Sequence, residues 1–110
     1  MEVLEKVNLT ILFDIYAELL TEKQRKVYEM YINEDAGLSE IGEQFGFTRQ
    51  AAKDTINSVT AQLYSYEDKL KLKQQFEQNN KLIDEVLSLK TFDGKEKIIR
   101  NTLEKLKKNL

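Results

Sequence analysis

The chain has no cysteine, no histidine, no proline and no tryptophan among its 110 residues. Without cysteine there is no disulfide framework and no thiolate metal site. Without histidine, the commonest general base and the commonest metal ligand near neutral pH are missing as well. Average usage would put roughly five prolines in a chain of this length. Their absence, with only four glycines, leaves few obligatory breaks and favours long helices. No apolar run approaches the roughly 18 residues that span a bilayer. The acidic start, Met1-Glu2-Val3-Leu4-Glu5, is unlike a signal peptide. These features point to a cytoplasmic protein with no cofactor, no bound metal and no membrane insertion.

The length suits one compact domain with a helical extension, and it can bury a real core without covalent staples. The net charge of −2 conceals an asymmetry. Residues 1–68 carry 6 basic and 13 acidic side chains, whereas residues 69–110 carry 11 basic and 6 acidic. Halves of opposite sign suit two surfaces with different partners, although solvated helix faces rich in Lys and Glu give the same count.

Apolar residues recur at helical spacing almost throughout. Leu9, Leu12, Phe13, Tyr16, Leu19 and Leu20 mark a first helix from Asn8 to Leu20. Thr21-Glu22-Lys23-Gln24 fits a capping box, opening a second helix to about Ile32 with Val27, Met30 and Tyr31 inward. A polar turn, residues 33–37, leads to a short third helix over 38–45, with Gly37 at its N-cap and Gly46 at its end. Thr48 then caps a long fourth helix. On it Ile56, Val59, Leu63, Tyr66 and Leu70 form a stripe that suits either a core face or a dimer seam. Phe76, Leu82, Ile83, Val86, Leu87 and Leu89 suggest a fifth helix. Asp93 and Glu96 resemble the start of a sixth, on which Ile99, Leu103, Leu106 and Leu110 oppose a lysine-rich face.

The informative stretch is residues 38–58. Apolar Leu38, Ile41, Phe45, Phe47, Ala52 and Ile56 flank a small Gly42 and a turn glycine, Gly46, ahead of a capped helix. The spacing fits a helix-turn-helix, with an ordinary helical corner as the alternative. In such a unit the second helix presents its N-terminal side chains to base edges in the major groove. The candidates are Thr48, Arg49, Gln50, Lys53 and Asn57. Arginine can bond guanine bidentately and glutamine can bond adenine, while Thr48 and the helix N-terminus suit a phosphate. Against this, residues 36–63 set two cations, Arg49 and Lys53, against Glu40, Glu43 and Asp54. DNA affinity depends heavily on neutralised phosphates, so a solvated helix face explains the two cations equally well.

At these residues the chain resembles the YlxM-like proteins of bacteria. The N-terminal part of that family looks like the promoter-reading domain at the C-terminal end of sigma factors. The resemblance rests on Leu19-Leu20-Thr21, Lys23-Gln24-Arg25, Tyr31, Glu40-Ile41, Phe45-Gly46 and Thr48-Arg49-Gln50-Ala51. It continues through Asp54, Ile56, Tyr66-Glu67 and Lys69-Leu70, covering roughly residues 8–75. Five positions depart from the family pattern. An aromatic is usual where Lys53 stands, a valine at Ala52, a basic pair at Asn57-Ser58 and a proline at Glu22. Losing the basic pair removes phosphate contacts from the fourth helix.

The resemblance implies an all-α fold with a helix-turn-helix domain over residues 1–75, including the long fourth helix. A helical extension, 76–110, would pack on that domain or on a partner. It also implies a non-enzymatic accessory or regulatory factor of the signal recognition particle pathway, binding the particle's GTPase or its RNA. The alternative is a sequence-specific DNA-binding regulator. For RNA or an acidic protein face, the candidate basic region is Lys69, Lys71, Lys73, Lys95, Lys97, Arg100, Lys105, Lys107 and Lys108. The amphipathic final helix also suits a groove on a partner or on a second copy of the chain. No catalytic constellation is evident: Glu34-Asp35 falls in a turn, Glu67-Asp68 is a surface pair, and no glycine loop could cradle a phosphate.

Overall fold

A computed structural model describes residues 2–109, and every element among them is helical. The helices are α1 (Val3–Tyr16), α2 (Glu22–Ile32), α3 (Leu38–Phe45), α4 (Arg49–Leu70), α5 (Leu72–Leu87) and α6 (Glu96–Lys108), with a single 3₁₀ turn at Ala17–Leu19. No helix among the described residues is long and apolar enough to cross a membrane. The chain divides into two compact units, one ending at Lys71 and the other beginning at Leu72.

The first unit holds the whole apolar core. Leu9, Leu12, Phe13 and Tyr16 of α1 meet Val27, Tyr28 and Ile32 of α2, Ile41 of α3, and Ala52, Ile56, Val59 and Leu63 of α4. The stripe on α4 is therefore a core face at its first three positions, while Tyr66 is half-buried and Leu70 is exposed. Tyrosines fasten α4 to the earlier helices. The Tyr16 hydroxyl donates to Glu67 at 2.7 Å, and the Tyr28 and Thr60 hydroxyls share a hydrogen bond of 2.7 Å. The Tyr28 ring also packs on Phe13 with centroids 5.4 Å apart. Burial pushes the Tyr28 phenol up to about 12, because the phenolate would have to be desolvated.

Several sequence expectations are corrected. The first helix begins at Val3 rather than Asn8, since no glycine or proline stops it. It ends at Tyr16, and the 3₁₀ turn that follows points Leu19 outward while burying Leu20. On α2 the inner face centres on Val27, Tyr28 and Ile32, leaving Met30 and Tyr31 half-buried. That helix is apolar over several adjacent positions, so its neighbours α1, α3 and α4 fix its rotation. The capping box at Thr21 forms as expected, Thr21 and Gln24 each satisfying the other's backbone N–H.

The second unit is a helical hairpin of α5 and α6. The antiparallel pairing is fixed at one end by the Asn109 side-chain amide on Asn79, and by Gln75 donating to the Asn109 carbonyl. Its only buried residue among those described is Thr102, whose hydroxyl bonds back to the Ile98 carbonyl at 2.9 Å. Leu103, expected on the inner stripe of the last helix, is exposed, and Leu110 lies outside the described residues. Asp93 is not the cap of α6. The helix opens after Lys95 with no side-chain cap, and Gly94 takes a positive φ of 71° in the preceding turn.

Candidate nucleic-acid interface

The helix-turn-helix is built by α3, its turn and the start of α4. Gly46 closes α3 in the left-handed conformation, φ 73°, which a side chain would strain. Phe47 N–H then donates to the Gly42 carbonyl at 2.8 Å, folding the turn back on α3. A Cβ on Gly42 would lie 2.6 Å from the Phe47 carbonyl oxygen. Gly42 is thus required by close approach of the turn's backbone rather than by its own conformation. Thr48 caps α4 by accepting the Ala51 N–H at 3.0 Å.

This arrangement leaves Thr48, Arg49, Gln50, Lys53 and Asn57 exposed, while Ala52 and Ile56 turn inward. Arg49 and Lys53 make no ion pair among the described residues, whereas Gln50 is engaged along the helix, its amide donating to Asp54 at 2.9 Å. A third exposed cation of the motif, Lys23, belongs to α2. The Lys23 ammonium sits 4.5 Å above the Phe47 ring centroid, an attraction between a cation and the negative face of an aromatic. A cleft of about 370 Å³ runs beside α4, lined by Thr21, Lys23, Gln24, Phe47, Asp54, Thr55 and Ser58. Lys26, by contrast, is paired with Glu22 at 3.0 Å, which holds that carboxyl below the usual carboxylate range by hydrogen bond and charge.

A second cleft of the motif is mostly acidic. Glu29, Glu34 and Glu40 with a single cation, Lys26, line a broad cleft of about 720 Å³ between α2 and α3. Lys23, Arg49 and Lys53 do not line that acidic cleft, and Asp54 shares the first cleft with Lys23. The sequence offers Lys23, with Arg25 and Lys26 on the second helix and Glu22 and Glu29 flanking them, as a cation that could help hold DNA, and the turn's geometry adds the Phe47 ring beneath it.

The nine residues of the predicted basic region are divided between the two units. Lys69 and Lys71 belong to the end of α4 in the first unit, where Lys71 takes the left-handed conformation, φ 56°. Lys73 is half-buried and bonded to Glu77 at 2.8 Å. Lys95 precedes α6. Arg100 and Lys107 flank a groove with Asp93, Glu96 and Glu104. Lys105 and Lys108 line a separate cleft with Lys81 and Glu85, and Lys97 is exposed on α6.

No group of acidic residues among those described is placed to hold a metal ion. The family model described as "Putative helix-turn-helix protein, YlxM / p13 like" matches residues 3–106. The match therefore runs through the hairpin, well past residue 75, where the quoted motifs stop. A relative from Oceanobacillus iheyensis is 48% identical over 100 residues, covering 91% of each chain. One from Listeria innocua is 39% identical over 107 residues, covering 94% of this chain and 96% of its own. One from Clostridium kluyveri is 48% identical over 89 residues, covering 77% and 80%. A helix-turn-helix with its glycine turn and capped α4, followed by a hairpin inside the same family match, identifies the chain as a member of the YlxM/p13-like helix-turn-helix family.

Proposed function

We propose that this protein is a non-enzymatic regulatory factor that binds double-stranded DNA through the helix-turn-helix, with the N-terminal end of α4 in the major groove. One observation carries this reading. The capped start of α4 holds Arg49, Lys53 and Asn57 exposed on its first turns, and Arg49 and Lys53 carry no ion pair among the described residues and stand outside the acidic cleft of α2 and α3. Lys23 and the N-terminus of α2 would hold phosphates, and Arg49, Lys53 and Asn57 would reach base edges. With so few cations the affinity is modest and strongly salt-dependent. Fluorescence anisotropy with a pool of random DNA duplexes tests it. Binding at low salt should weaken steeply as salt rises, and Arg49→Ala should weaken it further, by about 1–3 kcal/mol for a lost base contact. No binding at low salt, or binding indifferent to both Arg49→Ala and Lys53→Ala, overturns the reading.

A second reading is favoured by the division of charge. The unit ending at Lys71 holds 8 basic and 13 acidic side chains, and the hairpin 9 basic and 6 acidic. We infer from this, together with the family resemblance, a role as accessory factor to the signal recognition particle, with the hairpin as the contact for its RNA or GTPase. A pull-down with the particle, assembled with and without its RNA, separates the two partners. Failure of retention in both assemblies removes this reading and leaves the DNA proposal standing.

A further inference from the structure

The hairpin of α5 and α6 has almost nothing buried, yet it is rich in large apolar side chains. Phe76 is 52% exposed, Ile83 42%, Leu87 73%, Phe92 57% and Leu103 56%. Folded units below about 40 residues usually need a disulfide, a metal or a partner subunit. The chain has no cysteine, and no group of acidic residues among those described is placed to hold a metal ion. We propose that this face of the hairpin is the interface with a second copy of the chain, related by a twofold axis that sets α6 antiparallel to the partner's α6.

Three features of the face point to a second copy. The first is its continuity. On α5, Phe76, Ile83 and Leu87 form a stripe about a quarter-turn from Leu82 and Val86, the half-buried residues that face α6. On α6, Leu103 lies a similar step from Thr102 and Leu106. For antiparallel right-handed helices those two displacements fall on the same side of the pair.

The second feature is charge. Along the rim of the α6 groove run Glu96, Arg100, Glu104 and Lys107, alternating in sign. None of them is ion-paired among the described residues. In an antiparallel twofold pairing centred between residues 101 and 102, Glu96 is level with the partner copy's lysine at 107, and Arg100 is within one residue, about 1.5 Å of rise, of its glutamate at 104. The same centre sets Ile99 within one residue of the leucine at 103. On α5, Asn79 and Gln75 meet Asn109 at the hairpin's open end, which puts Ile83 about level with the middle of α6. Ile83 then lies near the axis against its own equivalent, with Phe76 toward the partner's position 87. A self-complementary pattern of this kind is what an isologous interface requires.

The third feature is area. The five exposed apolar side chains present on the order of 500 Å² per copy, so pairing removes about 1,000 Å² before any polar rim is counted, the lower range of a specific interface. An interface of that size fits a dimer with a micromolar dissociation constant, roughly.

Sedimentation equilibrium of the full chain tests the proposal. The wild-type protein is expected to pass from monomer to dimer across the micromolar range. Leu103→Glu, at an exposed position, should weaken the dimer by about a hundredfold with the helicity of the first unit unchanged. The decisive arm uses charge. Arg100→Glu alone sets glutamate against glutamate across the axis, and Glu104→Arg alone sets arginine against arginine, so each variant should be predominantly monomeric. Mixed in equal amounts they should form a one-to-one heterodimer, because both cross-axis contacts then join opposite charges. An effect confined to the helix of a single copy cannot be rescued by mixing. A wild-type chain that stays monomeric at high concentration overturns the proposal and leaves the face to its own first unit or to a different protein. A dimer indifferent to Leu103→Glu, or single variants that do not associate when mixed, overturn it equally.

Discussion

The two units use the same kinds of side chain to opposite effect. In the first, four helices converge, and thirteen apolar residues are buried. In the second, two helices of comparable apolar content bury none, because two cylinders touch along one line and each leaves most of its apolar arc uncovered. Amphipathic pattern alone therefore does not make a core. At least a third and a fourth helix are needed to enclose the stripe, and here they come from α1 and α2 packing on α4.

The sharpest way to break this comparison is to delete equivalent side chains from the two units. Leu63→Ala removes a fully buried side chain and should cost about 2–5 kcal/mol in urea denaturation. Leu103→Ala in monomeric protein should stay within about 0.5 kcal/mol, as exposed substitutions do. Equal losses at the two positions would mean that the hairpin face is covered by its own chain. A smaller effect is expected at the turn that joins core to interface. Gly42→Ala must displace the Phe47 carbonyl, a backbone atom, and should cost about 1–3 kcal/mol. DNA affinity should fall with it, because the start of α4 moves. Thr48→Ala leaves the Ala51 N–H without its acceptor and should cost about 1 kcal/mol, read by thermal unfolding.

The last prediction has no effect at neutral pH. The Tyr28 phenol is raised to about 12 by burial, so above the ordinary phenol value the unfolded chain gives up its proton first. The unfolded state then binds fewer protons than the folded one, and stability falls as pH rises from about 10 toward 12. Denaturation at stepped alkaline pH should show that decline in the wild type and a shallower one in Tyr28→Phe. An identical decline in both would assign it to other groups, Tyr31 among them, which burial raises in the same sense.

Much of the motif was legible in the residues. Thr21 with Gln24, Thr48, Gly46 and the bounds of α3 follow from local chemistry, since a cap or a left-handed turn depends on side chains only a few positions apart. The five α4 positions from Thr48 to Asn57 could be named for the same reason: a capped helix fixes which residues lie on its first turns. Other features were not legible. The rotation of α2, which buries Tyr28 and leaves Met30 half-exposed, depends on what packs against it. Leu19 and Leu103 carry the apolar signal of core residues, yet they face outward because nothing closes over them. The basic region read as one stretch is divided among two units and separate faces, since adjacency in sequence says little about which side of a helix a lysine occupies.

The sequence by itself thus determined an all-helical chain, the place of the helix-turn-helix and the absence of thiolate and imidazole chemistry, all matters of composition and short-range spacing. Only the tertiary structure decided that the first unit owns the apolar core found among the described residues, and that Lys23 sits over the Phe47 ring. It also decided that Gly42 is needed for the Phe47 carbonyl. Each of these depends on contacts between residues distant along the chain or on the three-dimensional path of a turn, and hydrophobic spacing along one helix carries no information about either.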